Sequence, residues 1–229
     1  MAVRSARHET HEARDPLSRE RVLAAAVALA DAEGIEGLSM RRLGAELGVE
    51  AMSLYHYFAG KDEILAAMLD AVYDEIEVPP IDGDWRASMR AMAVSFHATL
   101  RRHRWATGLL MSSVDLSEPR MRHMDTVLGR LRQAGLSDTL IDHAYHALDS
   151  YVVGFTLWQL PIIAIADQLP DLGRQVLERT SREQFPDLVA HIEYHLAPRS
   201  EGERAFEFGL NLLLDGLERL RVGEVELGA

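Results

Sequence analysis

The sequence predicts an all-α protein, and three observations carry that expectation. From Leu17 onward apolar residues recur with a period near 3.6, helix caps and glycine stops punctuate the chain, and no stretch alternates apolar and polar residues as a half-buried strand would. With 229 residues, 48% of them hydrophobic and 26% charged, the chain can bury a sizeable core in one or two domains.

Residues 1–16 are polar, mixed in charge and end at Pro16, the pattern of a mobile arm. The first helix starts after Ser18 as N-cap, with Leu17 and Val22 placed as a hydrophobic staple, and stops before Gly34. Its apolar positions include Leu23, Ala26, Val27 and Ala30. Ser39 caps the second helix, Leu38 and Leu43 repeat the staple, and Gly48 ends it. A third helix is expected from about Ala51 to Phe58, and a fourth from near Asp62, behind Lys61, to about Ile76.

Pro79, Pro80 and Gly83 then break the pattern and mark a domain seam. Beyond the seam, helices are expected at about 84–103, 105–111, 119–134, 138–160, 182–195 and 202–221. This divides the chain into the arm, a three-helix head over 17–62 and a helical body over 63–229 that includes the linking helix at about 62–76. The uncharged run from Tyr151 to Ala166 is shorter than the roughly 20 residues of a bilayer span and reads as a buried helix and its exit, so no membrane association is expected.

Without cysteine the chain has no disulfide framework, thiolate metal site or cysteine nucleophile, and its first residues lack the apolar stretch of a secretory signal. A cytoplasmic protein is the expectation. The net charge of −12 argues against a general nucleic-acid binder. The charge is uneven, however: residues 1–61 carry only −1 and the rest −11, so a nearly neutral head precedes an acidic body.

Two short helices joined by Gly48-Val49-Glu50, with Leu43, Leu47, Leu54 and Phe58 facing inward, form a helix-turn-helix. That arrangement leaves Ala51, Met52, Tyr55 and His56 outward, where a DNA groove would meet them. Ala51 and Met52 suit apolar contacts such as thymine methyls, and Tyr55 and Lys61 suit phosphates. Arg41 can reach guanine O6 and N7, and Ser39 can offer its hydroxyl and free helix-start N–H groups to phosphate. Lys61 is the only lysine, every other cation being arginine, which suggests a GC-rich coding genome.

The run from Gly34 through Val49, followed by Ser53-Leu54-Tyr55-His56-Tyr57-Phe58 and Lys61, resembles the tetracycline-repressor (TetR) family of bacterial regulators. The resemblance implies a DNA-binding head, a linking helix, and a ligand-binding and dimerisation body, with repression of a palindromic operator relieved by a small molecule. Matched residue by residue, it implies DNA contacts from Ser39, Met40, Arg41, Ala51, Met52, Ser53, Tyr55, His56 and Lys61. Ala51 departs from the polar residue of the nearest tetracycline repressors. Glu77 stands where the family's ligand-binding histidine ends the fourth helix, so tetracycline itself is poorly supported.

In the last helix Phe206, Leu210, Leu213, Leu217 and Leu220 form an apolar stripe. Gly209 and Gly216 beside it, together with Ala147, Ser150 and Gly154, would let backbones approach closely in a four-helix homodimer interface, as the resemblance also implies; an ordinary intrachain core is the alternative. Met89, Met92, Phe96, His97, Trp105, Met111, Met124, Tyr151, Phe155 and Trp158 are candidates to line a pocket for an apolar or aromatic effector.

The pairs His143/His146 and His191/His195 are spaced to offer two imidazoles to a divalent metal, which keeps a metal-dependent enzyme as an alternative. No third ligand, nucleophile-base set or phosphate-cradling loop accompanies them, so no cofactor, metal or enzymatic activity is expected. An effector-free DNA-binding protein is the other alternative.

Overall fold

A computed structural model describes residues 16–80, 83–112, 116–197 and 202–227. Among these residues the fold is all-helical, as expected: α1 (Arg19–Glu33), α2 (Met40–Leu47), α3 (Ala51–Leu54), α4 (Lys61–Asp74), α5 (Trp85–Arg102), α6 (Arg104–Ser112), α7 (Glu118–Gln133), α8 (Asp138–Ala164), α9 (Leu169–Arg179), α10 (Pro186–Leu196) and α11 (Gly202–Leu227). The expected arm, save Pro16, lies outside the described residues.

Local chemistry sets the ends of the head helices. The Ser18 hydroxyl accepts from Arg21 N–H, and the Ser39 hydroxyl from Arg42 N–H, both at 3.2 Å. Gly34 (φ 82°) and Gly48 (φ 70°) close α1 and α2 in conformations that a side chain would strain. Val22, Ala26, Leu29 and Ala30 form the buried face of α1, while the expected Leu23 and Val27 only flank it. Leu38, Leu43, Leu47, Leu54 and Phe58 complete the head core as expected, and Ile64 and Met68 of α4 extend it toward the body.

Five expectations need correction. The α-helical part of the recognition segment ends at Leu54; Tyr57 N–H then bonds the Leu54 carbonyl at 2.9 Å, tightening the turn so that Phe58 enters the core. α8 continues past 160 to Ala164 through Pro161. That proline removes only the bond to the Leu157 carbonyl, on an exposed face where water can replace it. The outer half of α8 is buried only along Val152, Val153, Thr156 and Gln159, while its other face is exposed, Trp158 at 64%. α9 was not anticipated, although Pro170 marks its first turn, and α10 starts at Pro186 instead of 182.

In the body, α5 packs against α7, α8 and α11, while α6 reaches α1, α4 and α8 and so joins body to head. The buried stripe of α11 is Phe206, Leu210 and Leu217 as expected, joined by Leu214; Leu213 is half-buried and Leu220 exposed. α8 is long and apolar enough to cross a membrane by composition, yet it is packed against α5, α6, α7 and α11.

Candidate DNA interface and effector cavity

The head is held by a lattice of side chains that also decides which cations remain available. Arg19 of α1 lies 4.0 Å over the Phe58 ring, donates to the Tyr57 carbonyl and pairs with Glu63 at 2.9 Å. Glu63 in turn accepts from Ala59 N–H at 2.6 Å, and the Tyr57 hydroxyl donates to the Leu17 carbonyl at 2.7 Å. The end of the recognition segment is therefore fixed to α1 and α4 together.

Two neighbouring arginines on α2 have different fates. Arg42 pairs with Glu33 at 2.5 Å and reaches Glu46 at 3.5 Å; its hydrogen bond holds the Glu33 carboxyl below the ordinary range. Arg41 is exposed and makes no hydrogen bond or ion pair among the described residues. Gly44 packs against the turn so tightly that a Cβ there would lie 2.9 Å from the Val49 carbonyl oxygen and 3.2 Å from Ala51 N. The two helices of the motif consequently meet backbone to backbone.

The structure brings the other expected DNA contacts to this end of the head in unequal ways. Met52 is 74% exposed, Tyr55 and His56 are exposed, Ala51 and Ser53 are half-buried, and Met40 packs partly on the core. The Ser39 hydroxyl is used as a cap. Lys61 Nζ donates to the Ile35 carbonyl at 3.4 Å, a long bond that leaves two ammonium donors for another partner.

In the body, Met89, Met92, Ala93 and Phe96 of α5, His123 and Val127 of α7, and Tyr145, Leu148, Asp149 and Val152 of α8 surround a small cavity of about 30 Å³, partly open to solvent. Of the expected lining, only Met89, Met92 and Phe96 reach it. Sequence reasoning missed its polar groups, because His123, Tyr145 and Asp149 belong to helix faces with no motif. Burial pushes His123 down to about 4, so its imidazole is neutral at ordinary pH. Burial also pushes the Tyr145 hydroxyl up, and the Asp149 carboxyl up against the pull of Arg120 and His146. Tyr73 of α4, pushed up to about 12 by burial, sets its ring 5.5 Å from His123 and 5.7 Å from Phe96. The linking helix therefore touches two cavity walls.

One turn beyond the cavity, His97 Nδ1 lies 2.7 Å from Thr156 Oγ1, whose own proton goes to the Val152 carbonyl at 2.6 Å. The imidazole must then donate from Nδ1, leaving Nε2 as a buried acceptor without a partner among the described residues. Its ring stacks on Phe206 at 3.9 Å, with Phe155 edge-on at 5.9 Å, and Tyr151 stacks on the same Phe206 ring at 5.4 Å. Burial, with Arg101 adding to it, pushes His97 down to about 4. Trp105 instead donates to Asp31 at the junction with the head. Met111 and Trp158 point to solvent, and Met124 is half-buried away from the cavity lining.

The expected interface residues divide in the same way. Ala147, Ser150 and Gly154 share the exposed face of α8 with Leu157 and Trp158, and Phe208 (66% exposed), Leu212 and Leu220 line an exposed face of α11. Gly216 has open space where a side chain would be. Gly209 instead accommodates Tyr151, whose hydroxyl donates to the Phe206 carbonyl at 2.8 Å, and Leu213 packs on the intrachain core. Leu157, Phe208 and Leu212, exposed here, were not among the expected surface residues.

His143 and His146 are exposed, with His146 3.5 Å from Asp142; His191 and His195 are exposed, with ring centroids 4.5 Å apart. Among the described residues no group of three or more histidines and carboxylates is arranged to hold a metal.

Two family models match the chain: bacterial regulatory proteins of the tetR family over residues 22–68, and the tetracyclin repressor-like C-terminal domain over residues 79–221. The HTH-type transcriptional repressor DrrR1 of Streptomyces coeruleorubidus is 41% identical over 212 residues, covering 89% of this chain and 78% of that protein. The class C tetracycline repressor protein of Escherichia coli is 32% identical over 211 residues, covering 90% and 93% respectively. The crystal structure of the Streptomyces coelicolor TetR family protein ActR in complex with actinorhodin matches with a TM-score of 0.74 at 31% identity, covering 89% of this chain and 96% of that one.

Proposed function

The chain belongs to the TetR family of bacterial regulatory proteins, and on that premise we propose that it represses transcription as a homodimer reading the two half-sites of a palindromic operator. A small apolar or aromatic effector in the cavity between α5, α7 and α8 releases it. The observation that carries the DNA reading is the contrast between Arg42, bound to Glu33, and Arg41, exposed and unpaired among the described residues at the start of the same helix. A rigid head that leaves one guanidinium uncommitted can spend it on a guanine edge.

Ala51 and Met52 then meet bases by apolar contact, while Ser39, Met40, Ser53, Tyr55, His56 and Lys61 frame the helix on the backbone. Arg41→Ala is expected to cost about 1–3 kcal/mol on the cognate operator and to relax base preference, whereas Lys61→Ala weakens all sequences alike and flattens the salt dependence. Titrations on specific and random duplexes at several salt concentrations separate the two. Equal losses on both duplexes for Arg41→Ala would remove it from base reading.

The cavity supports an effector over the effector-free alternative, because its walls combine apolar area with a neutral imidazole, a tyrosine hydroxyl and a carboxyl. ActR, solved with actinorhodin, supports the same expectation by similarity. Displacing Phe96 or His123 would move Tyr73 on α4, and thereby the head. Operator and effector must weaken each other reciprocally, typically by about 1–3 kcal/mol. His143, His146, His191 and His195 are solvated surface groups in a protein that acts on DNA in the bacterial cytoplasm, without catalysis.

A further inference from the structure

His103 caps the C-terminal end of α5 and is nearly buried where α6 meets α1 and α4. Its two ring nitrogens both face carboxylates. Nδ1 lies 2.9 and 3.0 Å from the oxygens of Asp31, in the last turn of α1, and Nε2 lies 3.2 Å from both oxygens of Glu75, which closes α4. Trp105 Nε1–H donates to the same Asp31 at 2.7 Å, and Arg102 donates to the same Glu75 at 2.7 Å.

A neutral imidazole donates from one nitrogen only, so the other would turn a lone pair toward a carboxylate. Three helix C-termini converge here, from α1, α4 and α5, and their negative dipole ends also favour a cation. Desolvation would raise the Glu75 carboxyl, but the hydrogen bonds and charges of Arg102 and His103 together hold it below its ordinary range. The charged groups that the structure places on this imidazole are Asp31 from the head and Glu75 from the linking helix, with Arg102 acting through Glu75.

We propose that protonated His103 is a positioning residue, a latch that pins the head and the linking helix to the body, so that operator affinity declines as His103 loses its proton. The latch rests on the reading of the head as the operator-binding element, because its effect is to fix the angle at which each head leaves the body. Below the range in which Glu75 protonates, one carboxylate partner is lost and the latch loosens.

The test is operator affinity of the full chain, on a duplex selected from a random pool, measured between about pH 6 and about pH 8.5. Wild type is expected to weaken across that range. His103→Gln should bind about five- to tenfold more weakly at the acid end and show a flatter profile. His56, exposed on the head, is present in both proteins, so its contribution cancels in the comparison. Glu75→Gln, at the more exposed partner, should also flatten the profile and serves if His103→Gln does not fold. Variants that fold and keep the wild-type profile would overturn the latch, whereas a wild type that selects no duplex would instead overturn the operator reading.

Discussion

Gly44→Ala is expected to disable operator binding while the body retains its fold. The added methyl would stand 2.9 Å from the Val49 carbonyl oxygen and within 3.3 Å of the Ala51 backbone, and none of these atoms belongs to a side chain that can swing away. Alanine gains about 1 kcal/mol of helix propensity over glycine, but forcing two backbones apart costs about 1–3 kcal/mol. The larger effect is positional. Ala51 opens the recognition helix, so a displaced turn misplaces every side chain beyond it, and specific affinity should fall by more than tenfold, the equivalent of about 1.4 kcal/mol. Gly129→Ala on α7, where a methyl meets nothing within 4 Å, is the matching control and should be neutral or stabilising. Thermal melts and operator titrations of both variants check this; wild-type operator affinity in Gly44→Ala would show that the turn has slack.

Charging the exposed faces of α8 and α11 should separate the subunits. Trp158 on α8, at 64% exposure, and Phe208 on α11, at 66%, are large apolar side chains with no intrachain reason to face water, and Trp158 shares its face with the small residues Ala147, Ser150 and Gly154. In a two-fold interface each meets the same surface on its partner, so Trp158→Glu with Phe208→Glu introduces four carboxylates at once. The expected product is a folded monomer with intact heads. Losing the second head removes the gain from linking two binding events, about 10²–10⁴-fold in operator affinity. Sedimentation alongside operator titration reads both quantities, and an unchanged dimer would move the interface elsewhere on the surface.

The head was legible in the sequence because its signals are local. Ser18, Ser39, Gly34 and Gly48 set helix ends through hydrogen bonds or backbone angles that neighbours cannot easily override. Leu43, Leu47, Leu54 and Phe58 could be assigned inward from spacing alone. The body was less legible, since its helices are apolar on more than one face and periodicity cannot say which face meets which neighbour. Trp105 and Met111 share a helix, yet the first bonds Asp31 of the head and the second faces solvent. His123, Tyr145 and Asp149 gain meaning only when α5, α7 and α8 close around them. The same limit explains α11, where Leu214 joins the expected Phe206, Leu210 and Leu217 in the core and Leu213 packs only at its edge.

Selection of bound sequences from random duplexes by this chain reads DNA binding, dimer symmetry and half-site spacing in one experiment. Two heads carried by a symmetric dimer should enrich a palindrome whose half-sites are centred about 34–36 Å apart, one helical turn, or a multiple of that spacing. Enrichment of a single unrepeated half-site, or of no sequence at all, would contradict a dimer reading its operator through the helix that begins at Ala51.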